Sequence, residues 1–372
     1  MFGGVPLNSM LCSVLVCPVC LESLEASVES WDREDVVTGR LACSRCGRRY
    51  PIWDGIPRMI SSGDPAAVAS ERDTWLGKRG DQADAGPNTF VEHERVRYAN
   101  IRYYDLVAGV YEADVEQAVH QTPENQKRIE EIVARLACQC REGPFVDVGC
   151  GTGNVLKLAS KYFAPAIGVD TSVGMLAVAR QRGLNVVQAD AAFLPFASGF
   201  SRAISVFSVL HHLYDPRHLL FEAARVLGHG GVLYTDWDPQ RQPAVEDGLV
   251  WQALRTVSRL ARPVRISAAA GAHESAGRVD FKNSSPSIKK TYELAEFHNL
   301  SREVERGLDP VSIRRILETA GFSSVDISYH WGGTDFRDLP LSLKVRLLTK
   351  ALLSHRSVER WMENFMVIAR RG

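Results

Sequence analysis

The 372-residue chain has no net charge, since 44 Lys and Arg balance 44 Asp and Glu. Without an excess of either sign, no long-range field draws the whole protein to nucleic acid or to an anionic membrane. Long apolar runs are missing too: charges interrupt every hydrophobic stretch before it reaches the roughly 20 residues that a membrane-spanning helix needs. LCSVLVCPVCL (11–21) could pass for a signal-peptide core, but no Lys or Arg precedes Arg33, so the basic segment of such a signal is absent and a cytoplasmic location is expected. There is neither an internal repeat nor a low-complexity tract. Of the eight cysteines, Cys12, Cys138, Cys140 and Cys150 are scattered, which suits a reducing compartment.

The other four are not scattered. CPVC places Cys17 and Cys20 on one tight turn, and CSRC, after a gap of 22 residues, places Cys43 and Cys46 on another. Two such knuckles supply four thiolates for a closed tetrahedral site, the preference of structural Zn2+ rather than of a catalytic metal that needs an open position. The competing reading, unrelated thiols or two disulfides, fits the spacing less well. About 60 residues with few large apolar side chains cannot bury much of a core. Metal binding, at roughly 10–16 kcal/mol apparent free energy, would then supply most of the folding drive. Residues 1–60 are therefore expected to form a zinc ribbon ending near GRRYPIWDGIPRM.

Residues 61–96 are rich in Gly, Pro, Ser, Ala and charge without periodicity and read as a linker, with a helical pattern beginning near 97. TPENQKRIEEIVARL opens with Thr122 as a helix cap and Pro123 at the first helical position, and Ile129, Ile132, Val133 and Leu136 repeat at 3.6-residue spacing. Short apolar runs then alternate with helical stretches at FVDVG, AIGVD, NVVQAD, AISVFSV and GGVLYTDW, the pattern of βαβ units on a parallel sheet. An α/β, Rossmann-like second domain over 97–372 is expected.

The first of these strands runs into VDVGCGTGNVLKLA. Gly149, Gly151 and Gly153 allow a sharp turn and close approach of backbone to a ligand, and the helix behind them offers its N-terminus to an anion. A nicotinamide or flavin dinucleotide is excluded by a missing glycine: the G-x-G-x-x-G fingerprint reaches Asn154 counted from Gly149 and Leu156 counted from Gly151. Asp170 closes the second strand, where a carboxylate can accept from both hydroxyls of a ribose, and Asp190 closes the third, near where an adenine would lie. Either acid alone could be a helix cap; the glycine loop and both acids in register are harder to explain so.

VDVGCGTG, VDTSVGMLAVAR, QADAAFLPFASGFSRAISVFSVLHHLYDP and EAARVLGHGGVL together resemble the successive motifs of class I S-adenosylmethionine-dependent methyltransferases, most closely the subgroup that includes quinone-biosynthesis enzymes. The similarity is strong over about 145–236 and returns weakly at 309–330 and 364–372. It implies a Rossmann-like sheet with helices on both faces and S-adenosyl-L-methionine as cofactor. In that reading Gly149, Gly151 and Gly153 hold the methionine part, Asp170 the ribose, and Asp190 with Ala191 the adenine. Ser208 faces the methionine moiety, and Asp147 and Thr171 complete the cofactor-binding set. Tyr103 or Tyr104 would supply a lid aromatic. CPVC…LACSRCGRRYPIWDGIPRM resembles the zinc-ribbon partners that activate methyltransferases in RNA and translation-factor modification.

Methyl transfer from a sulfonium is an in-line displacement, so alignment and a dry pocket are the protein's main contributions. A general base is needed only if the acceptor must lose a proton, and the sequence assigns none. His211 and His212 are candidates, weighed below a structural or capping role; Asp236 and Asp238 follow the fifth strand and could line the acceptor pocket, though as solvated loop acids they need no special explanation. The segment 238–308 exceeds an ordinary connection and is expected to be a substrate cap. It contains an amphipathic stretch (247–265), a loop (267–287) and His298 with Asn299. A second amphipathic, basic stretch occupies 342–361. A small-molecule methyl acceptor is expected. RNA or protein presented by the ribbon is the alternative, disfavoured by the charge balance and by SVLHH standing where amino-group methylases of adenine or glutamine carry an NPPY-like tetrapeptide. A non-catalytic cofactor-binding scaffold is the third reading.

Overall fold

Three helices of the second domain begin with the same device: a side-chain cap followed by proline. Thr122, Asp215 and Asp309 each accept a backbone N–H of the first turn, and Pro123, Pro216 and Pro310 follow them. Proline there costs no hydrogen bond, because the first N–H groups of a helix have no internal partner. A computed structural model describes residues 7–32, 35–60, 87–113, 119–140, 142–241, 307–354 and 357–372.

The first unit is a helix, α1 (Leu7–Val14), and a four-stranded antiparallel sheet of β1 (Leu24–Asp32), β2 (Asp35–Cys43), β3 (Arg49–Trp53) and β4 (Ile56–Pro57), in that order. Then follow helices α2 (Pro87–Val107) and α3 (Pro123–Gln139) and the alternating segment: β5 (Phe145–Val148), α4 (Asn154–Ala159), β6 (Ala166–Asp170), α5 (Val173–Gln181), β7 (Asn185–Gln188), β8 (Ser201–Phe207), α6 (Pro216–Val226) and β9 (Leu227–Pro239). The C-terminal part adds α7 (Pro310–Thr319), β10 (Phe322–Trp331), β11 (Thr334–Asp335), α8 (Leu341–Ser354) and β12 (Asn364–Arg371). The second sheet has eight strands in the order β11-β10-β12-β9-β8-β5-β6-β7. Strands β9, β8, β5, β6 and β7 are mutually parallel, as the pattern predicts. The remaining strands differ: β12 inserts antiparallel between β9 and β10, so the sheet is mixed.

Alternation along the strands sends side chains to two faces, and each face has helices. Val146 and Val148 of β5 join a core with α6 and α7, whereas Phe145 joins one with α3, α4 and α5. The stripe Ile129, Ile132, Val133 and Leu136 is buried on the second face, as its spacing requires. Helix α2 begins at Pro87, earlier than the expected 97, so the end of the stretch read as a linker is helical. Its charged segment EHER gives little apolar periodicity to read. Among the described residues no helix is long and apolar enough to cross a membrane.

The small unit lies against the edge of the large sheet. The Met59 N–H donates to the Gln188 carbonyl at 2.7 Å, and the Val16 N–H to that of Pro195 at 3.0 Å. Leu11, Leu15 and Met59 are buried in the same core as Val187 and Phe196. Each such side chain contributes on the order of 1.5–3 kcal/mol when taken from water. Arg180 and Asp35 add an ion pair at 2.7 Å across the contact.

Candidate functional site

In the small unit the four sulfurs of Cys17, Cys20, Cys43 and Cys46 lie within 4.8 Å of one another. The closest approaches are 3.6 Å for Cys17–Cys46 and 3.4 Å for Cys20–Cys43. A disulfide needs about 2.05 Å, so these are free thiols. A Zn2+ ion with Zn–S bonds of about 2.3 Å in tetrahedral geometry needs sulfur separations near 3.8 Å, and the cluster fits it. The Tyr50 hydroxyl lies 3.2 Å from Cys17 Sγ, and the Cys46 N–H donates to Cys43 Sγ at 3.5 Å. Three of the four thiols are almost fully buried, leaving no open position for a substrate. The zinc is structural.

At the carboxyl end of β5 the chain folds back at once. Gly149 and Cys150 donate their N–H groups to the Val169 carbonyl at 2.7 and 3.0 Å. Gly149, Gly151 and Gly153 have φ of +71°, +53° and +92°, a region that costs other residues roughly 1–2 kcal/mol. Their reasons for being glycine differ. A Cβ at Gly149 would meet Val209 at 2.3 Å and one at Gly153 would meet Leu184 at 2.2 Å, but in front of Gly151 there is nothing within 4 Å. Two glycines allow packing; the third faces open space. The turn is also held from outside, since Glu112 accepts from Thr152 Oγ1 and from Arg182, both at 2.6 Å. The Arg182 pairing holds the Glu112 carboxyl below its usual range. Sequence reasoning missed this acid, which no local pattern distinguishes.

Asp170 ties the loop to the next strand: Oδ2 accepts from the Gly151 N–H at 2.9 Å and Oδ1 from the Ser172 N–H at 2.8 Å. Beside it opens a cleft of about 670 Å³, lined among others by Gly151, Asp170, Thr171, Ala191, Ser208 and His212. A second cleft of about 480 Å³ adjoins it, with Asp147 and His120 in its lining. Tyr111, Gly149, Gly151, Phe207 and Ser208 line both. Of the two lid candidates, Tyr104 lines the larger cleft and Tyr103 packs edge-on against it at 5.1 Å.

The expected acids separate. Asp190 turns Oδ1 to the Ala192 N–H (2.9 Å), with Arg97 3.5 Å from Oδ2, and it is the flanking Ala189 and Ala191 that line the cleft. Asp147 is buried and accepts from Ser205 Oγ at 2.5 Å. Burial pushes its carboxyl up to about 7, against the lowering effect of that hydrogen bond.

Asp236 and Asp238 are not solvated loop acids. Both lie within β9 with 0% exposure. Asp236 Oδ2 pairs with Arg128 at 2.7 Å and accepts from Tyr234, while Oδ1 faces His330 Nε2 at 2.8 Å. Burial alone would raise its carboxyl; His330 and Arg128 outweigh burial and hold it below the usual range. Between the two acids Trp237 has φ +61°, and Ser208 at the end of the neighbouring strand has φ +58°. Left-handed backbone at a tryptophan is a strained arrangement of the kind that clusters at functional sites. The His120 ring lies edge-on to Trp237 at 4.3 Å and to Phe207 at 5.2 Å. Burial lowers the His120 pKa to about 4, so the ring is neutral at pH 7. Arg128, His120 and His330 were missed by sequence reasoning. The segment 247–265, the loop 267–287, His298 and Asn299 fall outside the described residues.

Residues 146–235 match a family described as a methyltransferase domain, and residues 8–55 match one described as Trm112p-like protein. The chain thus joins a class I S-adenosylmethionine-dependent methyltransferase domain to a Trm112-like zinc ribbon. An uncharacterized protein of Methanocaldococcus jannaschii is 34% identical over 143 residues, 38% of this chain and 52% of that one. The tRNA (carboxymethyluridine(34)-5-O)-methyltransferase of Arabidopsis thaliana is 35% identical over 101 residues, 26% of this chain and 24% of that one. The chain therefore spans about half the length of the first of these relatives and about a quarter of the second. Among solved structures, Haemonchus contortus phosphoethanolamine N-methyltransferase 2 in complex with S-adenosyl-L-methionine matches with TM-score 0.44 and 15% identity, covering 72% of this chain and 57% of that one.

Proposed function

We propose that the protein transfers a methyl group from S-adenosyl-L-methionine to a small-molecule acceptor. The observation that carries this reading is the pair of clefts joined through Gly149, Gly151, Phe207 and Ser208. The larger has the donor set for the cofactor: a glycine facing open space, a carboxylate at a strand end, and alanines where a flat base would lie. The smaller has aromatic walls, Tyr111, His120 and Phe207, suited to a compact acceptor. When bound, the cofactor supplies an electrophilic methyl group on a positively charged sulfur. The chain's residues position and exclude water: the glycine loop would hold the methionine part, with Asp147 beneath it and Ser208 beside it. Asp170 and Thr171 would hold the ribose, and the Ala189–Ala191 turn, with Asp190 fixing its backbone, the adenine. The four cysteines hold zinc as a scaffold away from the chemistry.

A tRNA acceptor is the second reading. It is supported by the name of the Arabidopsis relative and by the ribbon's surface, where Trp31 and Trp53 are more than half exposed and Arg58 stacks on the Trp53 ring at 5.4 Å. Exposed aromatics beside basic groups are how unpaired bases are held. Calorimetric titration with S-adenosyl-L-methionine tests the common core. Micromolar binding is expected, weakened at least ~100-fold in Asp170→Ala, which loses hydrogen bonds to a charged acceptor worth roughly 1.5–3 kcal/mol each. Absence of binding by folded, zinc-loaded protein would overturn the reading. Methyl label recovered in a small-molecule extract rather than in tRNA separates the two acceptors.

A further inference from the structure

His120 stands in the turn Val119–Gln121 that leads into α3, and it is 8% exposed. Two side chains of α3 fix that turn. Gln126 Nε2 donates to the His120 carbonyl at 2.7 Å and to Asn154 Oδ1 at 2.8 Å, and Asn125 Nδ2 donates to the Val119 carbonyl at 2.7 Å. The ring lines the smaller cleft, together with the Gly149, Gly151, Phe207 and Ser208 that this cleft shares with the larger one. In the reading above, Gly149, Gly151 and Ser208 hold or face the methionine part of the cofactor. His120 therefore belongs to the methyl-bearing end of the site, not to the end lined by Ala189 and Ala191.

No described residue hydrogen-bonds to either nitrogen of the ring. Nδ1 is also sealed from solvent, so Nε2 is the nitrogen open to the cleft. The ring is neutral, burial outweighing the pull of Asp236, and a neutral imidazole has one N–H and one bare nitrogen. A sealed N–H without an acceptor is the rarer arrangement in proteins, which puts the hydrogen on Nε2. The smaller cleft thus receives one neutral donor among aromatic walls. Among the described residues that line it there is no Lys or Arg, and its carboxyl group, Asp147, would repel an anion wherever ionised. A carboxylate or phosphate placed there would be desolvated without a positive partner in the protein, which is strongly unfavourable.

We infer that the His120 Nε2–H anchors the methyl acceptor, and that this acceptor is an uncharged small molecule with an oxygen that takes the hydrogen. This rests on the methyltransferase reading above. A donor placed on the reacting atom itself would draw on the lone pair that attacks the methyl group. The oxygen at His120 is therefore a second group of the molecule, and holding it there turns the nucleophile toward the cofactor. A hydroxyl or carbonyl oxygen meets this requirement; an anionic head group does not. His120 is the residue that sets which acceptors enter.

The test uses full-length, zinc-loaded protein with 15N-labelled histidine and S-adenosylhomocysteine bound. That ligand has no sulfonium charge, so the comparison reports the protein's own groups. The His120 resonance is identified by its absence in His120→Phe. At neutral pH it should show the hydrogen on Nε2 and a bare Nδ1. Benzamide and benzoate, which share a shape and differ in charge, are then titrated. Benzamide should shift the Nε2 signal with a dissociation constant on the order of millimolar, and benzoate should bind at least ~10-fold more weakly. His120→Phe should weaken benzamide about 3–10-fold, the worth of one neutral hydrogen bond, and change S-adenosylhomocysteine binding by less than about twofold. Equal binding of the two probes, no shift of His120 by benzamide, a hydrogen on Nδ1, or benzamide binding unchanged in His120→Phe would each overturn the proposal and leave the methyltransferase reading intact. Failure of S-adenosylhomocysteine to bind would overturn that reading itself. Should His120→Phe not fold, His120→Asn identifies the resonance and the two-probe comparison decides.

Discussion

In the ribbon, four sulfurs come from residues close together in the chain on two turns, three of them buried, and a bound zinc ion would answer their charge as thiolates. In the large sheet, Asp236 is as deeply buried, and its charge is answered by Arg128 and His330, 108 and 94 residues away along the chain. The first solution is local and borrowed; the second is distant and internal. A unit too small to bury enough apolar surface can assemble around a cation with few of its own contacts, whereas a sheet with cores on both faces can afford a buried acid because it already holds the partners in place.

Removing the borrowed part should have the largest effect. Cys43→Ser, or chelation, is expected to abolish zinc binding and take away the roughly 10–16 kcal/mol that such a metal lends to folding. Scanning calorimetry with a zinc assay should show the ribbon transition lost and that of the large sheet lowered but present, because Leu11, Leu15 and Met59 would leave its edge. A single joint collapse would break the comparison and make the two units one. Removing the internal partner should cost less: Arg128→Met is expected to lose about 3–5 kcal/mol in denaturant unfolding at neutral pH, leaving Asp236 buried with half its compensation.

The acids also differ in how they make stability depend on pH. With its folded value depressed, Asp236 contributes stability that is complete above the unfolded value of about 4 and is lost as pH falls through the folded one. Asp147 runs the other way. Its folded value is raised to about 7, so its contribution is complete below about 4 and is lost as pH rises through 7. Asp147→Asn should therefore flatten a decline in stability between about pH 4 and 7, read from denaturant midpoints. The smallest expected difference sharpens the loop itself. Gly153→Ala should cost about 2 kcal/mol or more, from both its positive φ and the Leu184 contact. Gly151→Ala should cost about 1 kcal/mol, from φ alone, yet weaken cofactor binding more.

What could be read from the chain beforehand follows the same division. The cysteine knuckles, the Thr122–Pro123 helix start, the buried stripe of α3 and the glycine loop with Asp170 each depend on residues within a turn or a single βαβ unit, so spacing alone exposes them. Of the two readings open for Asp236 and Asp238, the solvated loop fails because acids in YTDWDP become buried strand residues only once β12 inserts beside β9, bringing His330 into reach through β10. Asp190, read from the sequence for its side chain, turns that side chain to the Ala192 N–H and leaves the flanking alanines to line the cleft. The antiparallel half of the sheet is likewise a product of distant pairing, and β11 is too short to leave a pattern.

The contact of Met59 with Gln188 joins two parts of one polypeptide. Between separate proteins, closing such a surface would first cost some 4–15 kcal/mol of translational and rotational freedom. Along one chain that cost is replaced by an effective concentration in the millimolar range. A patch with few anchors can then stay closed at any expression level, with the ribbon held at one copy per cleft and beyond the reach of competing partners that act by mass action.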